Sequence, residues 1–134
     1  MKLATNIHPK NKILKVSEAS ISICNLRLRT YIGFNPEEKS KQQDVVVNVQ
    51  IRYRADLAFD SDNEDDALNY KTITKSMISH IEDGRFHLLE KLAADLLAIA
   101  TESTLVSYAE VKVDKPYALR FADSVSVTLS ATRD

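Results

Sequence analysis

The feature that most limits the fold of this chain is the alternation of apolar and polar side chains in residues 44–54. The apolar side chains are Val45, Val47, Val49, Ile51 and Tyr53. The residues between them are polar, with the exception of Val46. Successive side chains of a β-strand point to opposite faces, so this period predicts a strand with one buried face and one polar face. Such a strand belongs to a sheet that is covered on one side.

A second alternating stretch precedes this strand, and its apolar phase shifts by one residue. Ile21 and Ile23 alternate with polar residues, and the apolar pattern resumes at Leu26. A shift of one residue would turn the apolar side chains to the other face unless the strand contains an extra residue. The stretch therefore predicts a strand with a bulge near residues 24–25.

Two polar stretches predict loops. Residues 33–42 are mostly polar and contain Pro36, which breaks regular structure. Residues 60–66 (DSDNEDD) are acidic and contain no apolar side chain, which is typical of a solvated loop.

Two stretches with helical spacing follow. Residues 70–81 place Ile73 and Met77 on one side, and Asn69 is suited to cap the helix at its N-terminus. Residues 87–101 carry leucine and alanine at the same spacing. The chain therefore contains two amphipathic helices after the first strand pair.

The chain ends with two more alternating stretches, residues 110–114 and 121–130. Two strand pairs around two helices predict an α+β domain, in which an antiparallel sheet carries both helices on one face. The other face of the last strand is a row of small hydroxyl side chains, namely Ser124, Ser126, Thr128 and Ser130. Open sheet edges need a partner, so we expect a homo-oligomer whose sheets join edge to edge.

The composition limits the class of protein. The formal net charge is -1, which argues against a general nucleic-acid-binding protein, because such domains usually carry a basic excess. We interpret residues 19–134 as one domain and residues 1–18 as an arm that is either flexible or docked on a neighbouring subunit. The arm lacks the apolar core of a signal peptide, and Cys24 is the only cysteine, so no internal disulfide can form. We therefore predict a cytoplasmic protein without a membrane partner.

Few residues have the spacing of a recognised chemical site. The histidines His8, His80 and His87 are not spaced like metal ligands, and Cys24 has no local catalytic signature. The chain contains two glycines and neither of the usual glycine-rich nucleotide loops. The sequence therefore predicts no metal site and no nucleotide cofactor.

Three residues have an ordinary structural explanation when each is taken alone. Glu90 lies in the first turn of the second helix, where a carboxylate stabilises the helix by about 0.3–1 kcal/mol through the helix dipole. Lys115 follows the third strand and would be solvated there. Tyr70 starts the first helix and would be a half-buried packing residue.

Four segments together resemble the dihydroneopterin aldolase and epimerase family. They are NLRLRTYIG (25–33), ALNYKTITK (67–75), RFHLLEKLA (85–93) and YAEVKVDKPYALRFADSVSVTLS (108–130). They occur in the order found in the family, and the resemblance spans about residues 19–132. The chain resembles the epimerase subgroup more than the aldolases. Many aldolases carry a histidine where this chain has Ile32, and a Pro/Gly-rich turn where this chain has residues 116–118.

The resemblance implies the tunnelling fold. In that fold each subunit supplies an antiparallel four-stranded sheet and two helices, in the order ββααββ. Four subunits close a barrel around a central channel, and two such rings often stack. We therefore expect a homo-tetramer or homo-octamer with its sites at subunit interfaces.

The resemblance also implies a set of site residues. Glu90 matches the glutamate that anchors the pterin ring, with the backbone of Leu89 beside it. Lys115 matches the catalytic lysine, and Glu38 matches a glutamate on the substrate side. Tyr70 matches an active-site tyrosine that comes from the adjacent subunit.

Two further positions complete the expected pocket. Leu68 would form part of its wall. Arg120 would bind the phosphates of a pterin triphosphate, because it follows Lys115 by five residues and guanidinium groups suit phosphate oxygens. Arg27 and Arg29, on the polar face of the first strand, are the alternatives for that role.

Three functions are compatible with these residues. The first is epimerisation at C2′ of 7,8-dihydroneopterin triphosphate by a retro-aldol and aldol sequence that needs neither a metal nor a Schiff base. The second is the dihydroneopterin aldolase reaction of folate synthesis. The third is an oligomeric binding module without catalysis, and the joint presence of Glu38, Tyr70, Glu90 and Lys115 argues against it.

Overall fold

A computed structural model describes residues 6–7, 14–16 and 18–134. In chain order the elements are β1 (Asn6–Ile7), β2 (Leu14–Lys15), β3 (Ala19–Ile32), α1 (Pro36–Ser40), β4 (Gln43–Tyr53), α2 (Asp56–Ser61), a 3₁₀ turn (Glu64–Asp66), α3 (Tyr70–Glu82), β5 (Arg85–Phe86), α4 (Leu89–Ala100), β6 (Val106–Pro116) and β7 (Ser124–Thr132). Most of the predicted arm 1–18 lies outside the described residues; within it, β1 and β2 pair antiparallel. None of the helices in the described part of the chain has the length and apolarity needed to cross a membrane.

The main sheet has the strand order β5-β3-β4-β6-β7. The four long strands are antiparallel to their neighbours, as the sequence predicts. The fifth strand, β5, pairs in parallel with the end of β3 at Tyr31 and Ile32. It was not predicted, because two residues are too short to show an alternating pattern.

The predicted bulge in β3 is confirmed. The register between β3 and β4 shifts between Ile23 and Leu26. Asn25 lies in this gap with a φ of 54°, a left-handed conformation that asparagine tolerates better than most residues. The backbone N–H of Asn25 donates to the side-chain oxygen of Asn48 at 2.9 Å, which satisfies a group that the regular ladder leaves unpaired.

The hydrophobic core lies between one face of the sheet and the helices α3 and α4. The fully buried large side chains are Ile32, Ile51, Met77, Ile81, Leu92, Leu96, Val45, Val47, Val106, Val111, Val113 and Thr30. The hydroxyl of Thr30 donates to the carbonyl of Ile81 at 2.5 Å, so the C-terminal end of α3 is fixed beside the C-terminal end of β3. The predicted cap of α3 is confirmed, because the Asn69 side chain accepts a bond from the backbone N–H of Thr72.

The predicted loop at residues 33–42 is wrong in its centre, where the chain forms α1. The Asn35 side chain caps this helix by accepting a bond from the backbone N–H of Glu38 at 2.9 Å. Pro36 occupies the first helical turn, where its fixed φ suits a helix and its missing N–H has no cost. The helix is too short for apolar periodicity to reveal it.

The acidic run 60–66 is solvated as predicted, but it is not irregular. It contains the end of α2 and the 3₁₀ turn, and its side chains are exposed except for the half-buried Asp66. The side-chain oxygen of Asn63 accepts a bond from the backbone N–H of Asp65 at 2.9 Å, and the Ser61 hydroxyl donates to Asp66 at 2.6 Å. Local polar side chains thus stabilise turns that need no apolar face.

Two predicted boundaries are shifted. The second long helix begins at Leu89 rather than at residue 87, because Leu88 has extended φ and ψ angles. The last strand begins at Ser124 rather than at residue 121. Phe121 has a φ of 70° and is 99% exposed, so it belongs to the loop before β7.

Candidate active site

The structure brings Lys115 and Glu38 into direct contact. The Lys115 ammonium donates to the Oε2 atom of Glu38 across 77 residues of sequence. The two side chains are only 12% and 20% exposed, so the ion pair is largely withdrawn from solvent. The sheet topology explains this contact. The strands β3 and β6 both pair with β4. Glu38 lies in the segment after β3, and Lys115 lies at the end of β6. A strand-end lysine is therefore not simply solvated in this chain.

Gln43 also binds the Glu38 carboxylate. Its side-chain amide donates to Oε2 of Glu38 at 3.1 Å and to the carbonyl of Ile32 at 2.8 Å. The sequence did not indicate Gln43 as a site residue, because a polar residue at the start of a strand is ordinary. The five-residue separation between Glu38 and Gln43 becomes informative only when α1 and the turn after it are known.

Gly33 leaves room for the Glu38 carboxylate to lie against the backbone. The φ of Gly33 is 131°, a conformation that L-residues with a side chain rarely adopt. A Cβ atom at this position would overlap the Glu38 carboxyl group. A glycine is therefore required here both for the turn after β3 and for the close approach of the carboxylate.

The environment of Glu38 favours its ionised form. Partial burial acts to raise the pKa of its carboxyl group, but hydrogen bonds from Lys115 and Gln43, the charge of Lys115 and the backbone of Asn35 outweigh burial and hold the pKa below its usual value. A carboxyl group of this kind stabilises the fold above its unfolded pKa, and this stabilisation is lost as the pH falls through the lowered folded pKa. Near neutral pH the site therefore contains a carboxylate.

Glu90 and Leu89 begin α4 at the same end of the sheet. The strand β5, three residues before Leu89, pairs with β3 at Tyr31 and Ile32, and the Gly33 N–H donates to the Phe86 carbonyl at 2.9 Å. Leu89 is half-buried against the core, whereas Glu90 is exposed in the first turn of the helix. Its carboxylate therefore stands at a helix N-terminus close to the segment that carries Glu38.

Tyr70 and Leu68 lie at the opposite end of the subunit. Ile81 is fixed beside Thr30, and Tyr70 precedes Ile81 by eleven residues of α3, which places the two about 16 Å apart at 1.5 Å per residue. Tyr70 is 52% exposed, whereas Leu68 is buried in the core. A single chain therefore does not bring Tyr70 to its own Lys115.

Arg120 lies in the exposed loop between β6 and β7. The N–H of Tyr117 donates to the carbonyl of Asp123 at 3.0 Å, which closes this loop directly after Pro116. The Arg120 guanidinium lies 5.2 Å from the centre of the Phe121 ring. Arg120 is thus solvent-exposed on the segment that follows Lys115.

Arg27 and Arg29, the alternatives to Arg120 for phosphate binding, lie on the strand β3. Both lie on the face of β3 that is opposite the helices, away from Lys115 on the core face. Arg29 is already bound, because it donates to Asp44 and to the Gln42 carbonyl, each at 2.8 Å. Arg27 lines a groove with Pro116 and Tyr117 on that polar face.

The described histidines do not form a metal site. Residues 6–7, 14–16 and 18–134 contain no group of three His, Cys, Asp or Glu side chains that could hold a metal ion. His80 instead contacts the Asp95 carboxylate at 2.8 Å, and Lys91 binds the other oxygen of Asp95. His8 lies outside the described residues.

The arrangement is suited to moving protons at a bound organic molecule. An amine that is hydrogen-bonded to a fixed carboxylate can take a proton from a substrate hydroxyl and return it. The helix N-terminus at Glu90 provides a nearby carboxylate for N–H donors of a ligand. This part of the chain thus combines a proton-transfer pair with a candidate anchoring group.

Comparisons with known proteins identify relatives that are named as enzymes. Residues 21–130 match the family model described as dihydroneopterin aldolase. The chain is 57% identical over 115 residues to a protein of Escherichia coli strain K12 named dihydroneopterin triphosphate 2′-epimerase, covering 86% of this chain and 96% of that protein. A Pseudomonas aeruginosa protein of the same name is 48% identical over 120 residues, covering 90% of this chain and 98% of that protein.

The fold is also similar to that of a solved enzyme. The structure of E. coli dihydroneopterin aldolase in complex with neopterin has a TM-score of 0.79 and 26% sequence identity, covering 84% of this chain and 98% of that one. The match to the family model, over residues 21–130, includes both Glu38 and Lys115.

Proposed function

Since the chain belongs to the dihydroneopterin aldolase family, we propose that it inverts C2′ of 7,8-dihydroneopterin triphosphate, the reaction for which its relatives of 57% and 48% identity are named. The structural observation that carries the proposal is the shielded contact between Lys115 and Glu38. An epimerase that works through a retro-aldol step needs such a group to move the proton of the 2′-hydroxyl.

The reaction has two halves. Lys115, in its neutral amine form, removes the proton from the 2′-hydroxyl, directly or through a water. The C1′–C2′ bond then breaks, its electron pair passes into the C=N bond of the dihydropterin ring, and C2′ becomes an aldehyde. The aldehyde turns its other face to C1′ before the bond re-forms, and Lys115 returns the proton. The ring itself accepts the electrons, so no Schiff base with the lysine is required.

The other site residues are assigned to binding. Glu90 accepts hydrogen bonds from the N–H groups of the pterin ring, and the backbone of Leu89 borders the same edge. Glu38 keeps Lys115 in place beside the side chain of the substrate. Tyr70 enters from the neighbouring subunit, which is consistent with its half-exposed side chain at the far end of α3. Leu68, which is buried in the core of its own subunit, supports the wall of the pocket.

Assembly into a closed ring follows from this shared site. The strand β7 is an edge of the sheet and carries exposed hydroxyl side chains, and Tyr70 is half exposed. We expect light scattering at micromolar concentration to give the mass of a homo-tetramer or homo-octamer. A monomeric mass would contradict both the ring and the contribution of Tyr70 to a partner's site.

The aldolase reaction is the second candidate, because the family model and the neopterin-bound E. coli structure both bear that name. An aldolase releases the aldehyde and protonates the enol, whereas an epimerase retains the aldehyde. Incubation of the purified protein with 7,8-dihydroneopterin and with its triphosphate, followed by chromatography of the products, separates the two. The epimerase predicts the 2′-epimer of the triphosphate as the main product, and the aldolase predicts 6-hydroxymethyl-dihydropterin.

Arg120 provides a test of the preferred substrate. Replacement by alanine should lower kcat/KM for the triphosphate by about tenfold or more, because a lost charge-assisted phosphate contact costs on the order of 1–3 kcal/mol. The same variant should turn over unphosphorylated dihydroneopterin at close to the wild-type rate. Arg120→Lys keeps the charge, so its kcat/KM for the triphosphate should lie between those of the wild type and Arg120→Ala. Equal losses on both substrates would mean that Arg120 has a structural role.

A further inference from the structure

The helix α1, which carries Glu38, has little packing of its own. It spans five residues, and none of them is buried. Short helices are marginal in water without tertiary contacts. The position of the Glu38 carboxylate therefore depends on the few groups that bind α1 and the turn before it.

Arg85 is one of these groups and lies outside the site itself. Its guanidinium donates to the backbone carbonyl of Lys39 at 3.2 Å, one residue after Glu38. The same guanidinium lies over the ring of Tyr31, 3.8 Å from the ring centre. Tyr31 is the residue of β3 that pairs with Arg85, so the cation is held by the sheet while it reaches α1.

The next residue along β5 fixes the other end of the segment. The Phe86 carbonyl accepts the N–H of Gly33 at 2.9 Å, three residues before α1 begins. Residues 33–39 are therefore bound to β5 at both ends. Because α4 begins three residues after Phe86, β5 also leads directly into Leu89 and Glu90.

We propose that Arg85 is a positioning residue for the reaction, which acts by holding α1 so that Glu38 meets Lys115. Its contacts are with the Lys39 carbonyl and the Tyr31 ring, so we assign it no direct contact with the substrate. Through the short strand β5 it connects the turn that carries Glu38 to the helix that carries Glu90. This inference rests on the proposed function for its effect on turnover, but the tether itself can be measured without any activity.

Three variants test the tether. Arg85→Ala removes both contacts, Arg85→Lys keeps a cation over Tyr31 with fewer donors, and Lys75→Ala removes another exposed cation from the same surface groove as a matched control. Amide hydrogen exchange over residues 33–40 and an NMR titration of the Glu38 carboxyl group give readouts that do not need turnover. Steady-state kinetics with dihydroneopterin triphosphate give kcat and KM.

We expect Arg85→Ala to exchange faster over residues 33–40 and to have a Glu38 pKa closer to that of an ordinary glutamate. Its kcat should fall about three- to tenfold with little change in KM, because a misplaced catalytic pair lowers turnover more than binding. Arg85→Lys should recover part of each effect, and Lys75→Ala should match the wild type.

Two results would overturn the proposal. Unchanged exchange over residues 33–40 in Arg85→Ala would show that no tether exists, and faster exchange with wild-type kcat would show that the tether does not position Glu38. If the wild-type protein acts on no dihydroneopterin at all, the proposed function fails, while exchange and the Glu38 titration still decide whether Arg85 places that carboxylate.

Discussion

Lys115→Ala is expected to lower kcat about 10²–10⁴-fold, the range usually supplied by a positioned general acid and base. The Lys115 amine is the group that Glu38 holds in a shielded position, and it is the proposed carrier of the 2′-hydroxyl proton. Binding of the pterin ring should persist, since the ring is assigned to Glu90 and Leu89. Turnover measured at saturating dihydroneopterin triphosphate, with binding measured by calorimetry, tests both parts.

The matched control for this variant is Lys112→Ala. Lys112 belongs to the same strand but is exposed on the opposite face, 4.0 Å from Asp114. Its removal should leave kcat nearly unchanged. A kcat near that of the wild type in Lys115→Ala would refute the proposed role of the amine.

A second variant separates loss of the amine from damage to the site. Lys115→Ala leaves the Glu38 carboxylate partly buried without its cation, which is unfavourable in itself. The double variant Glu38→Gln, Lys115→Ala removes that unpaired charge. If the amine carries the proton, the double variant remains as inactive as Lys115→Ala. Recovery of turnover in the double variant would assign the loss to the stranded carboxylate.

The elements that the sequence predicts well are those with a clear period. The alternation in β4, the phase shift at the β3 bulge and the leucine spacing of α4 all come from side chains that must face one core. The α+β class and the order ββααββ follow from them, and the tunnelling fold follows from the family resemblance; both are confirmed. Apolar burial is the dominant force in folding, so the periodic patterns that it imposes are the easiest to recognise in the sequence.

The elements that the sequence does not reveal are held by a few polar contacts. The helix α1 depends on Asn35, and β5 consists of two residues that complete the edge of the sheet at Tyr31. Gln43 becomes important only because α1 returns Glu38 to it. None of these leaves a periodic signal.

The site residues divide in a similar way. Position alone gives Lys115 and Glu38 no special meaning, and their contact across the sheet depends on the register of three strands. The family resemblance pointed to both residues, and the structure shows them in contact. For Tyr70 and Leu68 the structure of one chain places the residues away from Lys115, so their roles remain predictions that a partner subunit must complete.

Glu90→Gln is expected to weaken binding of the pterin about ten- to a hundredfold. A hydrogen bond to a charged group contributes about 1.5–3 kcal/mol, and each 1.4 kcal/mol corresponds to a factor of ten in affinity. Glutamine keeps the size of the side chain but replaces one acceptor oxygen by an NH₂ group, which opposes the N–H donors of the ring. Calorimetry with neopterin measures the change without turnover.

The control for this substitution is Glu64→Gln. Glu64 begins the exposed 3₁₀ turn between β4 and α3 and is not one of the proposed site residues, so the same chemical change there should leave affinity unaltered. Because Glu90 is exposed in the first turn of α4, its replacement should lower stability by less than about 1 kcal/mol, the usual limit for an exposed helix-dipole contact. A weaker affinity together with a nearly unchanged melting temperature would therefore identify Glu90 as a ligand-binding group. Unchanged affinity in a folded Glu90→Gln protein would remove the anchor from the proposed site and leave Glu90 as an ordinary charge in the first turn of α4.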